Sequence, residues 1–343
     1  FLVVGFAFTL SIVLVVLCLP LFNEVADKKI TMPWLRPEFW LAGIGFSVIT
    51  AIIAGSYPAL YLSSFQPVKV LRGTFRAGRF AAVPRKVLVV VQFAVSIILI
   101  IGTAVVFRQI RFAQNRPVGY SRDGLISIFT STEDIHKHFE AVRGDLKSNG
   151  AIIEMAESGS PTTETWSSTS GFEWKGKDPE QSVDFSFDEI SYDYGKTVGW
   201  QFIKGRDFSR EFATDSVALV VNETAVKFMG LQNPVDEPLT WFKKPYKIIG
   251  VIKDIVVNSP YAPARPQFFC LSNGQGNVIN IRLNPAAGPA ASIEKIKEVF
   301  EKYDPGSPFE YQFVDEAYAN KFSDEVRVGK LTTFFSLLAV LIS

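Results

Sequence analysis

Gly171-Phe172-Glu173-Trp174-Lys175-Gly176-Lys177-Asp178 lies one residue away from the phosphate-binding loop G-x-x-x-x-G-K-[ST]. That loop ends in a hydroxyl that holds Mg²⁺, and Asp178 would put a carboxylate there instead. No apolar strand precedes the segment and no helical pattern follows it, so it reads as a β-turn, and the chain as having no ATP site of its own. His136 and His138 are the only histidines. Two residues apart on a helix they point in different directions, whereas a metal pair prefers i, i+4, so both read as surface groups. Neither stands beside a Ser or Cys motif that would complete a hydrolytic triad. Asn222-Glu223-Thr224 fits the N-glycosylation pattern, but Asn222 stands where a helix cap is expected. Cys18 falls in an apolar run and Cys270 in a polar region, which supports neither a disulfide framework nor a Cys-based zinc site. No catalytic, cofactor-binding or metal-binding residue is assigned, and the chain is read as non-enzymatic.

The elements carrying these residues divide by charge and hydropathy. The chain has 343 residues, is 48% hydrophobic and has a net charge of +1. Before Arg108 there are nine Lys/Arg and three Asp/Glu, a charge of +6; the remainder holds 26 and 31, a charge of −5. No stretch interleaves basic and aromatic residues as a nucleic-acid footprint would, so no nucleic-acid partner is expected. Thirty Phe and 13% aromatic residues argue against disorder. Residues 1–23 and 39–62 are uncharged, as are 87–107, and about 20 such residues cross a bilayer as a helix. Residues 331–343 read as the start of a further span. Both ends therefore fall in apolar runs, and the chain is expected to be an internal fragment of a longer one.

The second span carries Gly43, Ser47, Ala51, Gly55 and Ala59 every four residues, a small-xxx-small stripe that lets another helix approach closely. Pro58 is expected to kink this span or end its regular part. No Asp, Glu, Lys, Arg or His lies inside a span, which removes support for a proton relay. The linker 63–86 holds Lys69, Arg72, Arg76, Arg79, Arg85 and Lys86 with no acidic residue, which favours the cytoplasmic side. The opposite side counts seven basic residues against these six, so charge alone orients the chain only weakly. Lys69, Arg72, Arg76 and Arg79 keep helical spacing beside Val68, Leu71 and Phe75, as in a segment lying on anionic lipid. Gly73 and Gly78 weaken such a helix, and a solvated linker is the alternative.

Residues 108–330 are long enough to bury a core of their own. Leu125–Phe129 reads as a strand, and Ile135, Phe139, Val142 and Leu146 as one face of a helix. A second strand spans 151–155. The pattern returns at Val278–Leu283, a helix opened by Pro289 with Ile293, Ile296 and Phe300 inward, and a strand over 309–314. Two strand–helix–strand units with some 120 residues between them predict an α+β domain with a split core. The insertion reads as β-rich: Val183, Phe185 and Phe187 alternate with polar residues, Val217–Val221 is a short buried strand, and 246–257 and 267–271 are further candidates. At the edges of the domain, 85–115 and 316–343 are each interrupted by a single glycine, Gly102 and Gly329, and each is expected to form one long helix.

This order of parts resembles the MacB/FtsX-like ABC transporter permeases, in the long form with two FtsX-type halves. Residues 57–73, Tyr-Pro-Ala-Leu-Tyr-Leu-Ser-Ser-Phe-Gln-Pro-Val-Lys-Val-Leu-Arg-Gly, resemble the end of an FtsX-type membrane domain, and 85–96 the start of the next half. Gly205-Arg206-Asp207-Phe208, Val220-Val221-Asn222-Glu223-Thr224-Ala225 and Ile249-Gly250-Val251-Ile252-Lys253-Asp254 resemble the family's periplasmic core domain, and 313–317 its stalk. The resemblance implies that 1–62 close a first half, with 24–38 an extracytoplasmic loop, and that 63–86 are a cytoplasmic linker. Residues 87–107 would then open the second half, and 108–330 would be a periplasmic domain on helical stalks, in a multi-pass protein of the bacterial inner membrane. It further implies a separate cytoplasmic ATPase, a dimeric permease and a periplasmic or outer-membrane partner. ATP hydrolysis would drive domain motion for export or envelope remodelling, with no cofactor in this chain. The alternatives are an FtsX-like regulator of an envelope hydrolase and a ligand-sensing receptor.

Overall fold

The computed structural model describes residues 1–63, 83–130, 132–178, 180, 184–257, 259–272 and 276–342. The chain divides into two compact units, Phe1–Ile110 with Asp324–Ser343, and Arg111–Ser323. Lys69, Arg72, Arg76 and Arg79 lie outside the described residues, as do Val183 and most of the 57–73 stretch.

In the first unit, α1 (Leu2–Ala26), α2 (Pro37–Ser63) and α3 (Val83–Gln114) are apolar helices. Leu2–Ala26, Pro37–Ser56 and Lys86–Gln114 are long and apolar enough to cross a membrane. The backbone of α2 stays helical through position 58 to Ser63, so its regular part does not end at the proline. Asn23 closes the α1–α2 connection, its side-chain amide donating to the Ile30 carbonyl at 2.8 Å and its oxygen accepting the Ile30 N–H at 3.0 Å. Trp34, Phe39 and Trp40 gather there, where aromatic rings suit a membrane–water boundary.

The second unit follows the chain as β1 (Leu125–Phe129), α4 (Asp134–Lys137), α5 (Phe139–Ser148) and β2 (Ile152–Ser158). An insertion then supplies β3 (Ser167–Thr169), β4 (Phe172–Glu173), β5 (Phe185–Ile190), α6 (Tyr194–Val198), β6 (Phe202–Gly205), β7 (Ala218–Asn222), α7 (Glu223–Met229), β8 (Pro238–Trp241), β9 (Lys244–Ile252) and β10 (Gln267–Leu271). The chain returns through β11 (Val278–Leu283), α8 (Pro289–Tyr303), β12 (Gln312–Phe313), α9 (Val314–Asn320) and α10 (Ser323–Ile342).

The strands form one sheet in the order β12-β1-β11-β2-β5-β10-β7-β9-β8-β4. Its first four are antiparallel neighbours from two strand–helix–strand units, a split β-α-β arrangement. Two cores lie under it. Ile126, Val142, Leu146, Met155, Ile281 and Ile296 fill the first, and Phe172, Phe185, Leu219, Val221, Ile248 and Phe268 the second. The split core read from periodicity is thus two cores, each closed by its own helices.

Four expectations change in detail. The helix over 135–146 is broken at His138 into α4 and α5. The strand expected over 309–314 shrinks to Gln312–Phe313, and the buried Val314 already opens α9. Val217 sits in a 3₁₀ turn and is exposed, with the strand beginning at Ala218. The stretch from 316 onward is two helices. The N–H groups of Lys321 and Phe322 close i→i−3 bonds at 3.2 and 3.1 Å, and the turn carries the Phe322 ring into the core against Tyr318 and Tyr261. Within the first unit α10 meets α3: the Thr103 and Ser336 hydroxyls are 3.2 Å apart, and Gly329 faces Ile110.

Helices α5 and α6 are tied to β2 by Glu154, whose side chain is fully buried. Arg143, Lys196 and Lys147 reach its carboxylate at 2.7, 3.0 and 3.1 Å. Burial alone would raise its pKa, but hydrogen bonds from these three cations bring it from 4.5 to about 2. Because the folded value lies below the ordinary one, the stability this carboxylate adds is complete above pH 4.5 and lost as pH falls toward 2. Glu154→Gln is expected to cost about 2 kcal/mol at neutral pH and to flatten the fall in melting temperature across that window, measured by near-UV circular dichroism of the full chain in detergent.

Candidate functional site: the joint of the two cores and the entry of the chain

The two half-sheets meet through very little backbone. Strands β2 and β5 share one residue pairing, Ser158 with Ile190. Beside that pairing, side chains brace the first half-sheet. The Asn280 amide donates to the Ser158 hydroxyl at 2.8 Å, and its oxygen accepts from Ser127 at 3.0 Å and Thr162 at 3.3 Å. Across the joint, Asp188 accepts the Ser160 N–H at 3.0 Å, and Ser191 donates its N–H to the Glu157 carbonyl at 2.9 Å. Asp188 is buried, which pushes its carboxyl well above the usual range against the pull of backbone N–H groups from Ser160, Gly159 and Glu189.

Helix α6 brackets the joint from one face of the sheet. Glu154 and Arg282 are cross-strand partners in β2 and β11. Glu154 holds Lys196, and the Arg282 guanidinium donates to the Thr197 carbonyl at 2.9 Å. The same guanidinium reaches the Ser121 carbonyl at 2.9 Å and the Asp123 carbonyl at 2.5 Å. One arginine therefore fixes the inserted half and the segment that follows α3.

That segment is anchored along its length. Arg116 donates to the carbonyls of Ala262 at 3.0 Å and Pro260 at 3.3 Å, and Val118 accepts the Val256 N–H at 3.1 Å. Gly119 has φ +83°, and a Cβ there would lie 2.3 Å from the Asp254 carbonyl oxygen, so only glycine lets the two backbones meet. From α9 the Tyr318 hydroxyl donates to the Ala113 carbonyl at 3.3 Å, and Arg122 lies 4.3 Å from the Tyr318 ring centre. Both flanking segments of the domain, 113–122 and 318–322, thus close on one another before the chain enters the helices beyond.

The residues singled out by type fall mostly elsewhere. Lys177 donates to the Phe172 carbonyl at 2.6 Å and pairs with Glu173 at 3.0 Å, so the phosphate-loop lookalike folds as a turn closed by its own lysine. His138 is exposed, but His136 is not the surface group expected: its side chain is 6% exposed and bonded to Glu157 and Thr130. Asn222 is buried and accepts from Ala225 N–H at 2.9 Å and Gln267 N–H at 3.0 Å, which caps α7 and leaves no room for a glycan. Cys18 and Cys270 are both free. Of the small stripe, Gly43 lies against the Phe8 ring of α1 and Ala51 is buried, Ser47 is half-buried, while Gly55 faces open space and Ala59 is exposed. Lys86 is exposed in the first turn of α3, and nothing is described of the Arg85 side chain.

Three family-like motifs turn out to hold backbone. Gly205 packs on the Ile249 carbonyl and Arg206 grips the buried Asp215 with two bonds of 2.7 and 2.6 Å. Asp254 accepts the Thr224 N–H at 2.9 Å, adding a second cap to α7. Residues 87–299 match the family of the MacB-like periplasmic core domain. The chain belongs to the MacB/FtsX-like ABC transporter permeases. The permease is a membrane protein with an extracytoplasmic domain, and its family is one of transporter subunits. It is similar to the periplasmic region of MacB from Actinobacillus actinomycetemcomitans, at 14% identity over 61% of this chain and 97% of that one, TM-score 0.42. It is also similar to the extracellular domain of the noncanonic ABC-type transporter YknZ from Gram-positive bacteria, at 14% identity over 55% and 97%, TM-score 0.38. No curated protein matches it.

Sequence reasoning missed Arg282, Glu154, Tyr318 and Asn280. Their signal was weak: a charge or amide inside an otherwise apolar strand, such as Asn280 and Arg282 in Val-Ile-Asn-Ile-Arg-Leu. Gly119→Ala is expected to lower stability by about 2 kcal/mol or more, because strain at positive φ adds to a backbone clash. Gly150→Ala, with φ +73° and open space around its Cβ, costs about 1 kcal/mol; thermal melts of the two variants separate the effects.

Proposed function

We propose that this permease transmits motion. A separate cytoplasmic ATPase moves its membrane helices, and the extracytoplasmic domain converts that movement into export or envelope remodelling. The observation that carries the reading is α3, one unbroken helix from Val83 to Gln114 that combines a membrane-length apolar run with the first residues of the anchored segment. At 1.5 Å per residue it is about 48 Å long, more than the hydrocarbon thickness of a bilayer. A helix displaced axially moves its far end by the same amount, and Arg116, Gly119 and Arg282 pass that displacement to both cores.

In this reading the protein is multi-pass in the bacterial inner membrane, with 1–62 closing a first half, 87–107 opening a second and 108–330 in the periplasm. Gly43, Ser47, Ala51, Gly55 and Ala59 form a helix-packing stripe, and the basic residues 69–86 face the cytoplasm. The permease works as a dimer and meets a periplasmic or outer-membrane partner.

Association with an ATP-binding subunit is the expected outcome of mild-detergent purification of the full chain, with ATPase activity that needs both proteins. Purification with no ATPase bound would sink the reading. Arg282→Ala is expected to keep the ATPase bound and to lower export several-fold, since it frees the 121–123 segment from β11; a variant that exports normally would remove the joint from the mechanism.

A further inference from the structure

The hairpin of β8 and β9 turns in two residues, Phe242 and Lys243, between the paired Trp241 and Lys244. Both turn residues have positive φ, +46° and +65°. A two-residue turn of that shape is ordinarily filled by Asn-Gly, and a bulky aromatic residue in the left-handed region is an outlier. Burial does not offset that strain. Phe242 is 67% exposed, its ring lying along Gly171 and tilted against Trp241 with 5.7 Å between ring centres. The stem below it is firmly held. Trp241 stacks on Phe172 at 5.5 Å, and its indole N–H donates to the Thr169 hydroxyl at 3.3 Å.

Charge along this hairpin has one sign. From Pro238 to Lys247 there are three lysines and no acidic residue, and the adjacent stretch 165–172 carries no charge at all. Lys247 is held by Asp236 at 2.8 Å, and Glu173 on β4, opposite Thr240, is taken by Lys177 at 3.0 Å. Lys243 and Lys244 are exposed, and among the described residues neither makes an ion pair. Ser168 and Ser170, also exposed, add hydroxyls beside the turn.

We propose that this hairpin tip anchors the domain to an anionic bilayer surface, with Phe242 entering the headgroup layer and Lys243 and Lys244 meeting lipid phosphates. An exposed ring flanked by two ammonium groups without protein counter-ions matches the boundary of an anionic leaflet in both polarity and charge. A convex tip encloses no small anion, whereas a soft surface admits the ring and lets the lysine stems lie along it. The turn chemistry agrees: the residues that would relax the backbone are absent, and those that suit a lipid surface stand in their place. Strand β9 runs from the tip into the second core beside β7, so a tip held on a bilayer holds that half of the domain. The inference stands apart from the ATPase, since it concerns the permease and lipid alone.

The test uses the full chain in phosphatidylcholine nanodiscs, with Cys18→Ser and with Ser170→Cys carrying an environment-sensitive dye beside the tip; Cys270 is buried. A blue shift of the dye is expected when vesicles of equimolar phosphatidylglycerol and phosphatidylcholine are added, or when phosphatidylglycerol is built into the discs. The first result assigns the tip to an opposing bilayer, the second to the permease's own. Lys243→Gln with Lys244→Gln is expected to raise the lipid concentration needed by about tenfold or more. Phe242→Asn with Lys243→Gly relaxes the turn, so it is expected to raise the melting temperature while losing the shift, a combination that misfolding does not produce. No shift with phosphatidylglycerol in either arrangement would give the tip to a protein partner and overturn the proposal. An equal shift with pure phosphatidylcholine vesicles, or an unchanged shift in the Asn-Gly variant, would overturn it as well.

Discussion

A single guanidinium group sets what the rest of the domain can do. Arg282 stands in β11, opposite Glu154 in β2, and its donors end on three carbonyl oxygens that belong to two different stretches of chain. Arginine suits that position because its planar fork holds several acceptors at fixed angles, where an ammonium would be a point charge. Burial lowers its pKa, so the cost of keeping the charge is met by carbonyl dipoles and by Asp123 nearby. With that group in place, α6 cannot leave the first half-sheet without also releasing the segment that follows α3. The joint between the cores and the entry of the chain are therefore one mechanical element rather than two.

The remaining polar residues of the domain divide into those that lock backbone and those that leave it room. Asn222, Asp254, Arg206 and Asp215 close the second core so that its β7–α7 unit is capped twice and its long turn is clipped by a bidentate ion pair. Buried groups satisfied in this way tolerate little change, and the charged residues of the family-like motifs are placed to hold backbone. The joint is different in kind. One backbone pairing, the contacts of Arg282 and Glu154 to α6 and the ion pairs Arg143–Asp193 and Arg210–Glu140 connect two cores that each have their own helices.

Much of this was legible in the residues. Apolar run lengths marked the long apolar helices, and the return of a strand–helix–strand pattern at Val278 revealed the split core, because both signals depend on local patterning. The break at Phe322 was not legible, since nothing in 316–343 stops a helix; the buried pocket beside Tyr318 and Tyr261 does, and that is tertiary. His136 was misplaced for a similar reason: spacing on a helix says where a side chain points but not that Glu157 waits there. The small strands β3, β4, β6 and β8 are two to four residues long, too short for any alternation to register. Arg282 and Asn280 were hidden in plain view inside an apolar strand, where an embedded polar residue signals a partner without naming it.

The nested connectivity also bears on how the protein is made. Leu125 pairs with Arg282 and Phe129 with Val278, while the other edge of β1 waits for Gln312 and Phe313. As the chain emerges from the ribosome, β1 thus stays without any neighbour until the whole inserted half has been synthesised. The second core depends only on residues within that insertion and can assemble early; the first must hold its apolar strand open meanwhile. Long-range pairing of this kind is slow and exposes a sticky edge. The extracytoplasmic domain can therefore complete its second core first and closes its first core last, when β11 and β12 reach β1.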